Sequence, residues 1–102
     1  MPTVDYKEFL HKELSDSEFA SGYLTECLAL GMDEFLLGLK NVVDANGGIG
    51  GLAKDTSLNR ESLYKLLSER GNPRLSSLGA ILDALGMKLQ FSPKDDKEKE
   101  AA

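Results

Sequence analysis

Arg60, Glu61, Tyr64, Lys65 and Ser68 bring a guanidinium, a carboxylate, a phenol, an ammonium and a hydroxyl into one short run of the stretch LAKDTSLNRESLYKLLSERGNPR. At an advance of about 100° per residue these five cover an arc of roughly 140° on one side of a helix, and Leu63, Leu66 and Leu67 cover the other. Such a face suits base edges and phosphates. Arg60, in the first turn, can make a bidentate contact with guanine in the major groove, and Glu61 can accept from the cytosine amino group. Tyr64 and Lys65 can reach a base or the backbone. Lys54 before this helix, and Asn72 and Arg74 after it, would flank the groove and hold phosphates, which positions a module without reading sequence. Ser57, Asn59 and Ser68 could add phosphate hydrogen bonds. The competing reading is an ordinary solvated helix face, and the charges alone would not displace it.

Other chemistries find little to work with. Cys27 is the only cysteine and His11 the only histidine, so neither an intramolecular disulfide nor a thiolate or imidazole metal cluster can be assembled. A nucleophile needs a base, and His11 lies far along the chain from any special serine, so no enzyme and no cofactor is expected. Gly48-x-Gly50-x-x-Ala53 matches the loose dinucleotide-binding fingerprint, but an amphipathic helix leads into it where that fingerprint needs a strand. A turn with a permissive backbone is the better reading. No run approaches a membrane span, and MPTVDYKEF has neither a basic start nor an apolar stretch, so a cytoplasmic protein is expected.

The 102 residues carry a formal net charge of -5, which taken as a sum argues against a polyanionic partner. Its distribution argues otherwise. Residues 1–48 hold three Lys/Arg against nine Asp/Glu, a net -6, whereas residues 49–90 hold six against four, a net +2.

The elements that would carry these side chains follow from periodicity. DYKEFLHKEL suggests a short helix with Tyr6, Phe9 and Leu10 on one side. Ser15 and Glu18 have capping-box spacing, and Phe19, Tyr23, Cys27 and Leu30, with Leu24 and Leu28, then form an apolar stripe that ends near Gly31. Cys27 fits there as a small buried hydrophobe. Phe35, Leu36, Leu39, Val42 and Val43 make a second stripe, stopped by Asn46-Gly47-Gly48. A short helix over about Ile49 to Thr56, a turn at Ser57-Leu58-Asn59 and a helix capped by Asn59 have the spacing of a helix-turn-helix, with the small Ala53 at the crossing and Leu58 plugging the gap. A last helix would turn Leu75, Leu78, Ile81, Leu82 and Leu85 inward and end at Gly86. Met87, Leu89 and Phe91 then alternate with Lys88, Gln90 and Ser92, the pattern of a half-buried strand needing a partner from the N-terminus or from a second copy.

On YLTECLALG, LAKDTSLNRESLYKLLSERGNPRLSSL and ALGMKLQF the chain resembles the addiction-module antidote proteins, antitoxins with a helix-turn-helix domain like that of lambda repressor. The similarity runs from about Asp16 to Ser92. With the periodicity it gives a mainly all-α fold: an N-terminal helical extension over 1–31 and a lambda-repressor-like DNA-binding domain over 32–92 that includes the short C-terminal β-strand; residues 93–102, whose KDDKEKEAA holds no large apolar residue, are expected to form a disordered charged tail. It further implies that the chain neutralises a small toxin of the RelE/ParE-like type, expected to be basic, by direct binding and represses their shared promoter; a homodimer on a palindromic operator in double-stranded DNA is expected. The family's recognition positions fall on Asn59, Arg60, Glu61, Tyr64 and Lys65. Two departures stand out. Ser57 replaces the usual turn glycine, at a cost of ~1 kcal/mol if its backbone is left-handed, and Gly50 replaces the usual Ser or Thr cap of the first short helix. A stand-alone repressor, or an interaction module whose helix-turn-helix is only scaffold, remain the alternatives.

Overall fold

A computed structural model describes residues 6–68 and 72–95. Among these the chain forms six helices: α1 Tyr6–Leu14, α2 Ser17–Leu30, α3 Met32–Ala45, α4 Gly48–Asp55, α5 Arg60–Ser68 and α6 Leu75–Ala84. The tail expected to be disordered lies largely outside the described residues.

α3 is the central wall. Its stripe of Phe35, Leu36, Leu39, Val42 and Val43 is buried in full, as the periodicity requires. α1 and α2 pack against α3, as do α4 and α5, and α6 packs against α4. One aliphatic cluster therefore runs from Leu14 in α1 to Leu82 in α6, with Phe35 its only aromatic ring and no buried polar residue among those described. Each leucine taken fully out of water in such a cluster contributes about 1.5–3 kcal/mol.

The joints between helices show which polar side chains set the boundaries. The Ser15 hydroxyl donates to the Lys12 carbonyl at 2.6 Å and so closes α1. Asp16 is what caps α2, accepting from the Glu18 amide at 3.2 Å; the expected Ser15–Glu18 box does not form. Gly31 is at once the last cap of α2 and the first of α3, with φ +143°. Only glycine adopts that backbone without strain, and a Cβ there would fall 2.6 Å from Glu34 Oε1. At the far end of α3 the Asn46 amide donates to both Leu14 O at 3.0 Å and Val42 O at 2.8 Å. That side chain ties α1 to α3.

The α2–α3 crossing is tight. A Cβ on Gly38 would meet Cys27 Sγ at 2.7 Å and Tyr23 at 3.3 Å, so the helices approach because residue 38 has no side chain. Cys27 is half-buried in the crossing. Burial pushes its thiol pKa up, the Glu26 and Glu34 carboxylates add to the rise, and a hydrogen bond with Tyr23 opposes it. Overpacking at such a contact costs about 1–3 kcal/mol, and alanine's better helix propensity returns up to ~1 kcal/mol. Gly38→Ala should therefore lower the unfolding free energy by about 1–2 kcal/mol in urea titration; an unchanged midpoint would mean that the crossing relaxes freely.

Three expectations about the apolar stripes are corrected. In α1 it is Leu10 and Leu14 that turn inward, while Tyr6 and Phe9 are exposed. In α2 only Ala20 and Leu24 are buried, and Phe19, Leu28 and Leu30 are exposed. In α6, Leu78, Ile81 and Leu82 are buried but Leu75 is exposed.

The expected C-terminal strand is absent. α6 ends in a Schellman closure, with Met87 N–H bonded to Leu82 O at 2.8 Å and Gly86 N–H to Asp83 O at 3.0 Å. Met87 is half-buried against the core, and the chain then runs on without regular structure. A strand needs a neighbour for its amides and carbonyls, and the N-terminal segment that might have served is helical from Tyr6. Phe91 is 92% exposed, so the alternation of residue types over Met87–Phe91 does not correspond to a buried face. The fold of the described residues is all-α.

Candidate nucleic-acid interface

α4 and α5 are held at their angle by the turn between them. Thr56 ends α4: its amide bonds to Leu52 O at 3.0 Å, and its hydroxyl donates to the same carbonyl at 2.9 Å while accepting from the Leu58 amide at 3.2 Å. Leu58 and Ala53 are half-buried against the core, the places expected for the plug and the crossing. Asn59 caps α5, its Oδ1 accepting from the Ser62 amide at 2.7 Å. No non-glycine residue among those described has positive φ, so Ser57 takes the turn without the anticipated strain. The cap of α4 is Gly47, at φ +99°, rather than Gly50.

α5 divides as its sequence suggests. Leu63 and Leu67 are buried and Leu66 is half-buried, whereas Arg60, Glu61, Tyr64, Lys65 and Ser68 are all exposed. Two of the polar groups have part of their capacity engaged. The Ser68 hydroxyl donates to Tyr64 O, leaving its oxygen free to accept, and Asn59 retains its amide NH2 once Oδ1 is used in capping. Lys54 stands exposed in the last turn of α4 and Ser57 in the turn. Asn72 and Arg74 are exposed ahead of α6, Arg74 being its N-cap residue. The structure thus brings the α5 residues onto one face; Lys54 and Ser57 belong to the adjoining α4 and turn, and Asn72 and Arg74 to the segment that follows α5.

One neighbour of this face escaped the sequence reading. Gly50 lies inside α4, and a Cβ there would fall 3.1 Å from a terminal nitrogen of Arg60. The Arg60 guanidinium therefore lies close to the α4 backbone at Gly50, where no side chain intervenes. Two consecutive glycines inside so short a helix, Gly50-Gly51, were the available signal, because helix interiors disfavour glycine by ~1 kcal/mol unless close approach needs it.

No group of three His, Cys, Asp or Glu side chains among the described residues is placed to hold a metal ion, and no described helix is long and apolar enough to cross a membrane. What α4 and α5 offer is a hydrogen-bonding surface carrying Lys54, Arg60 and Lys65 on the helices themselves.

The chain is similar to an uncharacterised protein of Haemophilus influenzae (strain ATCC 51907 / DSM 11121 / KW20 / Rd), 29% identical over 89 residues that span 86% of this chain and 92% of that protein. No solved structure matches it. A family model described as "probable addiction module antidote protein" matches residues 5–93, which takes in all six helices and both the acidic and the basic parts of the sequence. With nearly its whole length matched, the chain belongs to the family of probable addiction module antidote proteins.

Proposed function

We propose that this chain is the antitoxin of a type II toxin–antitoxin module: it neutralises a small basic toxin of the RelE/ParE-like type by direct binding and represses its own promoter through α4 and α5, used as a helix-turn-helix. The observation that carries the DNA half of this reading is the division of α5, with Leu63 and Leu67 buried and Arg60, Glu61, Tyr64, Lys65 and Ser68 exposed on the other side. Family membership supports the antitoxin half. In this reading α5 enters the major groove, Asn59, Arg60, Glu61, Tyr64, Lys65 and Ser68 meet base edges or the adjoining backbone, and Lys54, Ser57, Asn72 and Arg74 hold phosphates. A homodimer on a palindromic operator sets two such helices roughly one DNA turn, about 34 Å, apart.

A mobility shift with the full chain tests the reading. A duplex carrying the chain's own promoter should bind more tightly than a scrambled duplex of the same composition, and both affinities should fall as salt rises, because phosphate contacts release counterions. Equal affinity for the two duplexes overturns specific repression. Affinity indifferent to salt overturns the phosphate contacts.

A further inference from the structure

α2 carries more apolar surface than its neighbours cover. Phe19, Tyr23, Glu26 and Leu30 recur at intervals of four, three and four residues, so they lie along one stripe of α2. Glu34, Leu37 and Asn41 do the same on α3. Two contacts set the two stripes edge to edge. Asn41 Nδ2 donates to Tyr23 Oη at 3.1 Å, and a Cβ on Gly38, beside Leu37, would meet both Cys27 and Tyr23 of α2. The result is a shallow groove with Tyr23 and Cys27 as its half-buried floor. Leu30 at 74% exposure, Leu37 at 63% and Phe19 at 40% stand along it, with Glu26 and Glu34 exposed among them.

Helix α3 buries its Phe35–Leu36–Leu39 stripe in the core and leaves Leu37 outside, so the groove is not a defect of core packing. Leucine stood in water beside carboxylates has an identifiable complement: a surface with apolar side chains at its centre and Lys or Arg at its margin. DNA does not fit, because Glu26 and Glu34 repel phosphates. A second copy fits poorly, because a two-fold interface would bring these carboxylates near their own equivalents.

We propose that the α2–α3 groove is the docking surface for a basic protein partner, which covers Leu30 and Leu37 with apolar side chains and sets Lys or Arg against Glu26 and Glu34. This rests on the antitoxin reading above and names where the toxin binds. Residues 1–48, the part of the sequence that includes both helices, carry a net -6, the sign that draws in a basic surface and speeds its association.

The test uses the full chain and the purified product of the reading frame next to its own. Leu37→Glu should weaken binding by about tenfold or more in calorimetry, with helix content, unfolding midpoint and promoter binding unchanged. Leu28→Glu provides the control, since Leu28 is 52% exposed but stands roughly 200° around α2 from Leu30; its binding should match the wild type. Glu26→Lys with Glu34→Lys should slow association by about tenfold at low ionic strength and by little at high. If the wild type binds tightly and Leu37→Glu binds equally well, the groove is the wrong surface and the antitoxin reading stands. If the wild type does not bind the neighbouring product and does not relieve its toxicity, both fall. If Leu37→Glu instead turns a wild-type dimer into a monomer, the groove joins two copies of this chain and the proposal is overturned.

Discussion

Leu63→Ala should lower the unfolding free energy by about 2–5 kcal/mol. Leu63 has 0% exposure and sits in the middle of the side of α5 that packs against α3 and α4. Truncating it loses the transfer energy of the deleted carbons and leaves a cavity that three helices anchored elsewhere cannot close fully. A domain of this size has about 5–15 kcal/mol in total, so the variant should unfold at a much lower urea concentration with its slope unchanged. Tyr64→Ala is the comparison. Tyr64 is the next residue in sequence and 58% exposed, and losing an exposed side chain changes stability by roughly 0.5 kcal/mol or less. Equal losses for the two variants would mean that α5 is not seated through its leucine side, and the assignment of its outer face would fail with it.

Arg60→Ala should narrow the gap between operator and scrambled DNA by about 1–3 kcal/mol, the worth of one bidentate base contact. Arg74→Ala should weaken binding to both duplexes alike and reduce the slope of affinity against salt by about one counterion. The contrast follows from position. Arg60 opens α5 with its guanidinium close to α4 at Gly50, whereas Arg74 is exposed ahead of α6. Arg60→Lys should not restore discrimination, because an ammonium lacks the planar fork. If Arg60→Ala weakens operator and scrambled DNA by the same factor, Arg60 is a phosphate contact and base reading must lie elsewhere on α5.

Most of the helix order was legible in the sequence, and the reasons for success and failure are particular. The stripe from Phe35 to Val43 predicted buried residues correctly because α3 is surrounded, so every apolar position on its inner face has a neighbour. The same periodicity on α2 put Phe19 and Leu30 in the apolar stripe, although they stand 40% and 74% exposed. Period identifies a helix but does not say how much of its apolar arc the neighbours reach. Ser15 and Asp16 are both good caps, and the choice between them turned on the Lys12 carbonyl, which α1 presents to the Ser15 hydroxyl. The alternation from Met87 to Phe91 failed as a strand because a strand is a property of two segments and the sequence shows one. At the candidate site, the Leu63/Leu67 side of α5, the exposed arc facing away from it and the Asn59 cap could all be read from spacing. The position of Gly50 under Arg60 could not, since it depends on how closely α4 and α5 cross.

The Asn46 amide that bridges the Leu14 and Val42 carbonyls, together with α3 as a wall shared by four other helices, bears on how long the protein lasts under proteolysis. A protease that cuts within α1 or α2 does not trim an appendage; it removes one side of the core on which α5 rests. A cut in the acidic segment should therefore loosen the basic face as well, through the α3 wall that both share.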